Sequence, residues 1–153
     1  MRTVVIAAAV VLCLAGPVAA SEQVPFRGSL TGSATVTPLD PPLASVLLEA
    51  AGSASQLGRF TLEAPHIVNQ ATQTAVGTYL FTAADGSTLT ATLSGSASMV
   101  SPGVLALAET GTITGGTGRF DGATGSFSMQ RTFDLASGAT DGSFRGWIST
   151  PGN

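Results

Sequence analysis

Few side chains in this 153-residue chain could do chemistry: six arginines, no lysine, nine acids and one histidine. Two of them, Glu109 and Arg131, interrupt apolar alternations. In residues 104–113 the apolar face is Leu105, Leu107, Gly111 and Ile113, and Glu109 lies on it. In residues 125–135 the apolar face is Phe127, Met129, Phe133 and Leu135, and Arg131 lies on it. Paired as strands with Ile113 opposite Phe127 and Leu107 opposite Phe133, the two charges meet directly across the ladder. Such a pair reads either as a structural ion pair near a solvated mouth or as the polar end of a ligand pocket. A dry ion pair is a poor stabilising device, because desolvation can exceed the attraction. That cost keeps the pocket reading in view. Glu109 and Arg131 are therefore the candidate ligand-binding residues.

The remaining chemistry is sparse, and no catalytic or metal-binding residue is assigned. His66 is the only histidine and follows Pro65, so it reads as a solvent-facing loop residue. No Gly-x-Ser-x-Gly elbow is present to expose a nucleophilic serine. The other acids, such as Asp40, Asp85 and Asp134, are scattered over turns and strand ends. Neither the paired carboxylates of glycoside hydrolysis nor a metal shell is legible in them. Tyr79 and Trp147 stand alone and offer no stacking platform. A net charge of −3 without a basic cluster excludes a nucleic-acid partner. No cofactor is expected.

The segment Thr114 to Gly125 is rich in glycine and invites three ligand readings. A phosphate loop needs a lysine after its glycines, and there is none. A dinucleotide fingerprint needs a helix to follow, and a strand pattern follows instead. A calcium-binding turn wants an acid where Phe120 stands. The segment reads as a strand connection, with glycines at positive φ and Phe120 tucked into the core.

The elements that must hold these residues read as strands. Phe26 to Val36 alternates with a period of two, the mark of a half-buried strand. Residues 37–42, with three prolines, form a rigid loop. Leu43 to Ala51 fits a helical turn or a buried strand, and strand is the reading taken. Arg59 to Ala64 alternates again, and Pro65 ends or bends it. Ala75 to Ala83 and Ser87 to Met99 flank Ala84-Asp85-Gly86, a hairpin signal. A three-residue loop with left-handed Gly86 sets Phe81 opposite Leu89 and Tyr79 opposite Ala91, which gathers the apolar residues on one face. Val104 to Ile113, Gly125 to Leu135 and Ser143 to Ser149 complete about eight strands, with no long helix. The fold class is all-β: a single eight-stranded antiparallel β-barrel, calycin-like, in which closure removes edges that few charges protect. The expected core is Phe26, Leu30, Phe60, Leu62, Phe81, Leu89, Leu93, Leu107, Ile113, Phe120, Phe127, Phe133, Phe144 and Ile148.

Three segments carry a family resemblance. Gly115-Gly116-Thr117-Gly118-Arg119-Phe120 is followed by Ala123 and Gly125. Gly52-Ser53-Ala54-Ser55-Gln56-Leu57-Gly58-Arg59-Phe60-Thr61 and the hairpin Phe81 to Leu89 precede it in the same order as in that family. Together they resemble the allene oxide cyclase barrel-like family, related to plant dirigent proteins. The chain is most similar to the exported bacterial members, which lack an assigned activity as a group. The resemblance implies an eight-stranded antiparallel barrel. Gln56 stands where many members have histidine, and the plant cyclase's catalytic residues do not map onto this chain, so none is carried over.

Residues 1–20 read as a cleavable signal peptide and 21–153 as the barrel domain. Arg2 precedes an apolar run from Thr3 to Ala15, too short for the roughly 20 residues of a membrane span. Gly16 and Pro17 break the run, and Val18-Ala19-Ala20 suits cleavage after Ala20. Cys13 sits mid-run behind Leu12, which does not suit lipidation. The expected location is secreted or periplasmic, with no stable membrane anchor. Two functions are consistent with these features. One is a non-catalytic exported barrel that binds a small apolar molecule or is purely structural. The other, implied by the resemblance, is a cofactor-free isomerase or cyclase acting on a lipid-like substrate inside the barrel. The barrel interior bears on both, since one filled by its own side chains leaves no room for a ligand.

Overall fold

The computed structural model describes residues 21–151; the expected signal peptide lies outside them. Eight antiparallel strands follow one another: β1 (Val24–Pro38), β2 (Leu43–Ala54), β3 (Gly58–Asn69), β4 (Thr74–Ala83), β5 (Thr88–Ser101), β6 (Val104–Gly116), β7 (Thr124–Asp134) and β8 (Ala139–Ser149). Each pairs with the next, and β1 closes on β8. The only helical element among the described residues is a single 3-10 turn, Gly118–Phe120. The all-β class and the closed eight-stranded barrel are those read from the sequence. Residues 43–51 are strand, and the Ala84-Asp85-Gly86 hairpin takes the anticipated register, with Phe81 opposite Leu89 and Gly86 at φ +84°.

The two ends of the barrel are built differently. At one end the inward residues of β1, β3, β4, β7 and β8 are Phe26, Phe60, Phe81, Phe127 and Phe144, all buried. Their rings meet mostly edge-on or tilted, with centroids 5.0–6.2 Å apart. Such arrangements add to the burial of the aromatic area itself. Phe120, on the 3-10 turn, is also buried at this end. Arg119 holds the turn from outside: its Nε donates to Asp85 Oδ2 at 2.6 Å and its Nη1 to the Gln56 carbonyl at 2.8 Å. This pairing with Arg119 holds the Asp85 carboxyl down to about 2.

Three sequence expectations need correction. First, Pro65 does not end its strand; β3 runs on to Asn69. Pro65 faces outward, β2 pairs through it at Leu47, and only the ladder to β4 lapses, resuming at His66 and Gly77. Second, β6 and β7 pair two residues away from the expected register. Gly111 lies opposite Phe127, Ile113 opposite Gly125 and Leu107 opposite Arg131. Volume decides this: a side chain on Gly111 would collide with the Phe127 ring, so the large residue takes the space over the small one. Third, every expected core residue is buried except Leu107, which is only partly covered. It lines a space that the core does not fill.

Candidate functional site

The end of the barrel opposite the aromatic stack holds a cavity of about 300 Å³. Its walls are apolar, with Val46, Val68, Leu105, Leu107 and Phe133 among them. Val36, Met99 and Leu135 line its mouth and are 44%, 65% and 51% exposed. Its polar lining includes Glu109, Arg131 and His66. A wider depression of about 840 Å³ crosses the wall at β8, β1, β2, β3 and β4, but its polar lining is exposed or half-buried Ser, Thr, Arg59 and Asp141, and no buried polar group converges there.

Glu109 and Arg131 are in contact, as the alternation of their strands implied, but diagonally rather than directly opposite. Glu109 pairs across the ladder with Met129, and Arg131 with Leu107. The diagonal is short enough for two long side chains to span. Arg131 Nη2 donates to Glu109 Oε1 at 2.6 Å and Nε to Oε2 at 3.0 Å, a two-point charge-assisted contact. The side chains are 2% and 3% exposed. Arg131 Nη1 also donates to Thr140 Oγ1 on β8, whose hydroxyl donates to the Thr132 carbonyl.

Two further residues join the pair that the sequence left apart. The Tyr79 hydroxyl, from β4, donates to Glu109 Oε2 at 3.0 Å. Burial and the adjacent Glu109 carboxylate hold this phenol well above its ordinary pKa, so it is a neutral donor. His66 is 6% exposed and faces inward from β3, contrary to the loop reading. Its Nδ1 lies 2.8 Å from the Ala64 carbonyl. Burial holds its pKa below 6.5; the bond to the Ala64 carbonyl opposes this in part, and the smaller effects of Arg131, which lowers it, and Glu109, which raises it, follow.

Glycine makes room for all three lining groups. Across the ladders, Gly95 lies opposite Glu109, Gly142 opposite Arg131 and Gly77 opposite His66. A Cβ at any of these would collide with the residue it faces. An inward polar residue opposite an inward glycine is thus a signal present in the sequence, readable only once the strand pairing is known.

No protein-family model matches this chain, and no curated protein matches it in sequence. Solved structures do match. The pterocarpan synthase dirigent protein GePTS1 aligns with a TM-score of 0.57 at 16% identity, over 87% of this chain and 88% of that one. The pterocarpan synthase dirigent protein PsPTS1 aligns with a TM-score of 0.59 at 14% identity, over 84% and 96%. The fold is that of the dirigent proteins. The likeness is in the barrel itself, and at these identities it bears on architecture alone.

Proposed function

We propose that this protein is a dirigent-like barrel that holds a small apolar molecule in its mouth cavity, above the Glu109–Arg131 pair. The observation that carries the reading is that the interior is left open. Eight-stranded barrels are either filled by side chains or hold one small ligand. Here about 300 Å³ stays empty beside a desolvated ion pair, at the lower end of the usual range for ligand pockets. The three quoted segments favour the exported, allene oxide cyclase-like branch of such barrels. The leader then directs secretion or periplasmic export, and the exported protein begins at Ser21. Recovery of the intact chain in the membrane fraction would refute that address.

The binding test is direct. The exported protein is purified and denatured, and what it releases is identified by mass spectrometry. In parallel, a neutral apolar fluorophore, phenylnaphthylamine, is titrated into it. One saturable site is expected, lost in Ala97→Trp, which fills the mouth from β5. No released molecule and no saturable site would end the reading.

A second reading is supported by the Tyr79–Glu109–Arg131 network. A carboxylate and a guanidinium that line one apolar cavity, the carboxylate also held by a neutral phenol in the core, are groups a cofactor-free isomerase or cyclase uses to shape and polarise a reactive substrate. The structural neighbours bear on it only in being pterocarpan synthase dirigent proteins by name. Incubating the protein with its released molecule distinguishes the two. Conversion to a product of equal mass and different connectivity favours catalysis; unchanged recovery favours binding alone.

A further inference from the structure

We infer that His66 sets the ligand class: a neutral molecule with an apolar body that offers an O–H or N–H donor to the His66 imidazole. The inference rests on the mouth cavity being the ligand site.

The tautomer is fixed by the fold. The Ala64 carbonyl can only accept, so His66 Nδ1 carries the hydrogen of the neutral ring. Nε2 is then a bare acceptor. No group among the described residues hydrogen-bonds it, yet it is not fully enclosed by protein, so it opens onto the cavity that His66 lines. The polar groups buried beside it are already engaged, while Gln70, Gln73, Thr74 and Ser96 line the cavity from its exposed rim. Both Glu109 oxygens accept from Arg131, Oε2 also from Tyr79. Thr140 accepts from Arg131 and donates to the Thr132 carbonyl. The cavity therefore presents His66 Nε2 as its open nitrogen acceptor. Glu109 and Arg131 cancel each other's charge at 2.6 Å, so no net charge is left for a ligand to balance. A charged ligand would lose its hydration without a counter-ion. A neutral donor loses little, because Nε2 replaces its water.

Three probes test this on the purified protein by calorimetric titration: naphthalene, naphthol and the methyl ether of naphthol. The ether keeps the oxygen and removes the donor. Naphthol is expected to bind about tenfold more tightly than either relative, the worth of one net hydrogen bond. In His66→Phe, which keeps the ring and removes the acceptor, the three are expected to bind alike. Equal binding of all three to the wild type overturns the inference and leaves the cavity reading intact. A naphthol advantage that survives in His66→Phe also overturns it. Failure of all three to bind removes the cavity reading and the inference together. If His66→Phe does not fold, the naphthol–ether comparison in the wild type still decides.

Discussion

Glu109 and Arg131 each stand in for the water the other has lost. Removing one leaves an unpaired charge at a site 2–3% exposed. Glu109→Ala or Arg131→Ala alone should destabilise by roughly 3–5 kcal/mol. The double replacement Glu109→Leu with Arg131→Met should recover most of that loss, because apolar groups need no partner. A double-mutant cycle from denaturant unfolding should give coupling well above about 0.5 kcal/mol. Singles indistinguishable from surface changes would show that the pair is solvated. His66 makes a second prediction at this scale. Its folded pKa is depressed below 6.5, so the unfolded chain binds the proton more readily. Its contribution is therefore present above pH 6.5 and lost as pH falls through the folded value. With one histidine in the chain, a fall in stability starting just below pH 6.5 that His66→Phe abolishes is the expected result. An identical pH profile in both proteins would exclude it. The pair was legible in the sequence because two charges broke two apolar alternations. His66 was not, because Pro65 reads as a strand end when its outward orientation is unknown. Tyr79 was not, because its acceptor is 30 residues away on a strand two places over.

At the scale of the element, period-two patterning was enough to place eight strands, but it does not set how two of them slide. The β6–β7 register depends on which residue is small where its neighbour is large. Gly111 beneath Phe127 and Gly125 opposite Ile113 fix it. A pattern of apolar and polar positions carries no volumes, which is why matching apolar to apolar gave a register two residues off. The same logic yields a test. Gly95→Val would drive a side chain into Glu109, and overpacking of this kind costs about 1–3 kcal/mol. Thermal unfolding should show the loss, and Glu109→Ala combined with it should cost less than the two singles added. Strict additivity would mean that Gly95 does not make space for the carboxylate. The connection between β6 and β7 carries the other test. Phe120→Ala should cost roughly 3–5 kcal/mol, since the ring is 2% exposed. A change below about 1 kcal/mol would mark the turn as a mobile loop.

Seen as a whole, the barrel divides its work along its axis. One end is solid with aromatic rings and held from outside by Arg119; the other is hollow, apolar at the rim and polar within. Closure leaves no unpaired edge, and all the strands share one continuous ladder. Amides of β4 and β5 beside Phe81 and Leu89 should therefore exchange only through global unfolding, while residues 70–73 and 135–138 at the mouth exchange first. Uniform exchange along β4 would contradict this division. The fold was legible at this scale because closure follows from strand number, short connections and scarce charge. The hollow was not, since an alternating pattern looks the same whether a barrel is filled or empty. The division also bears on how such a chain changes over generations. Leu105, Leu107, Val68 and Phe133 border empty space more than they border the ring stack, so replacing them alters the shape of the hollow at little expense to folding. The preferences of the cavity are free to drift while the aromatic end keeps the barrel intact.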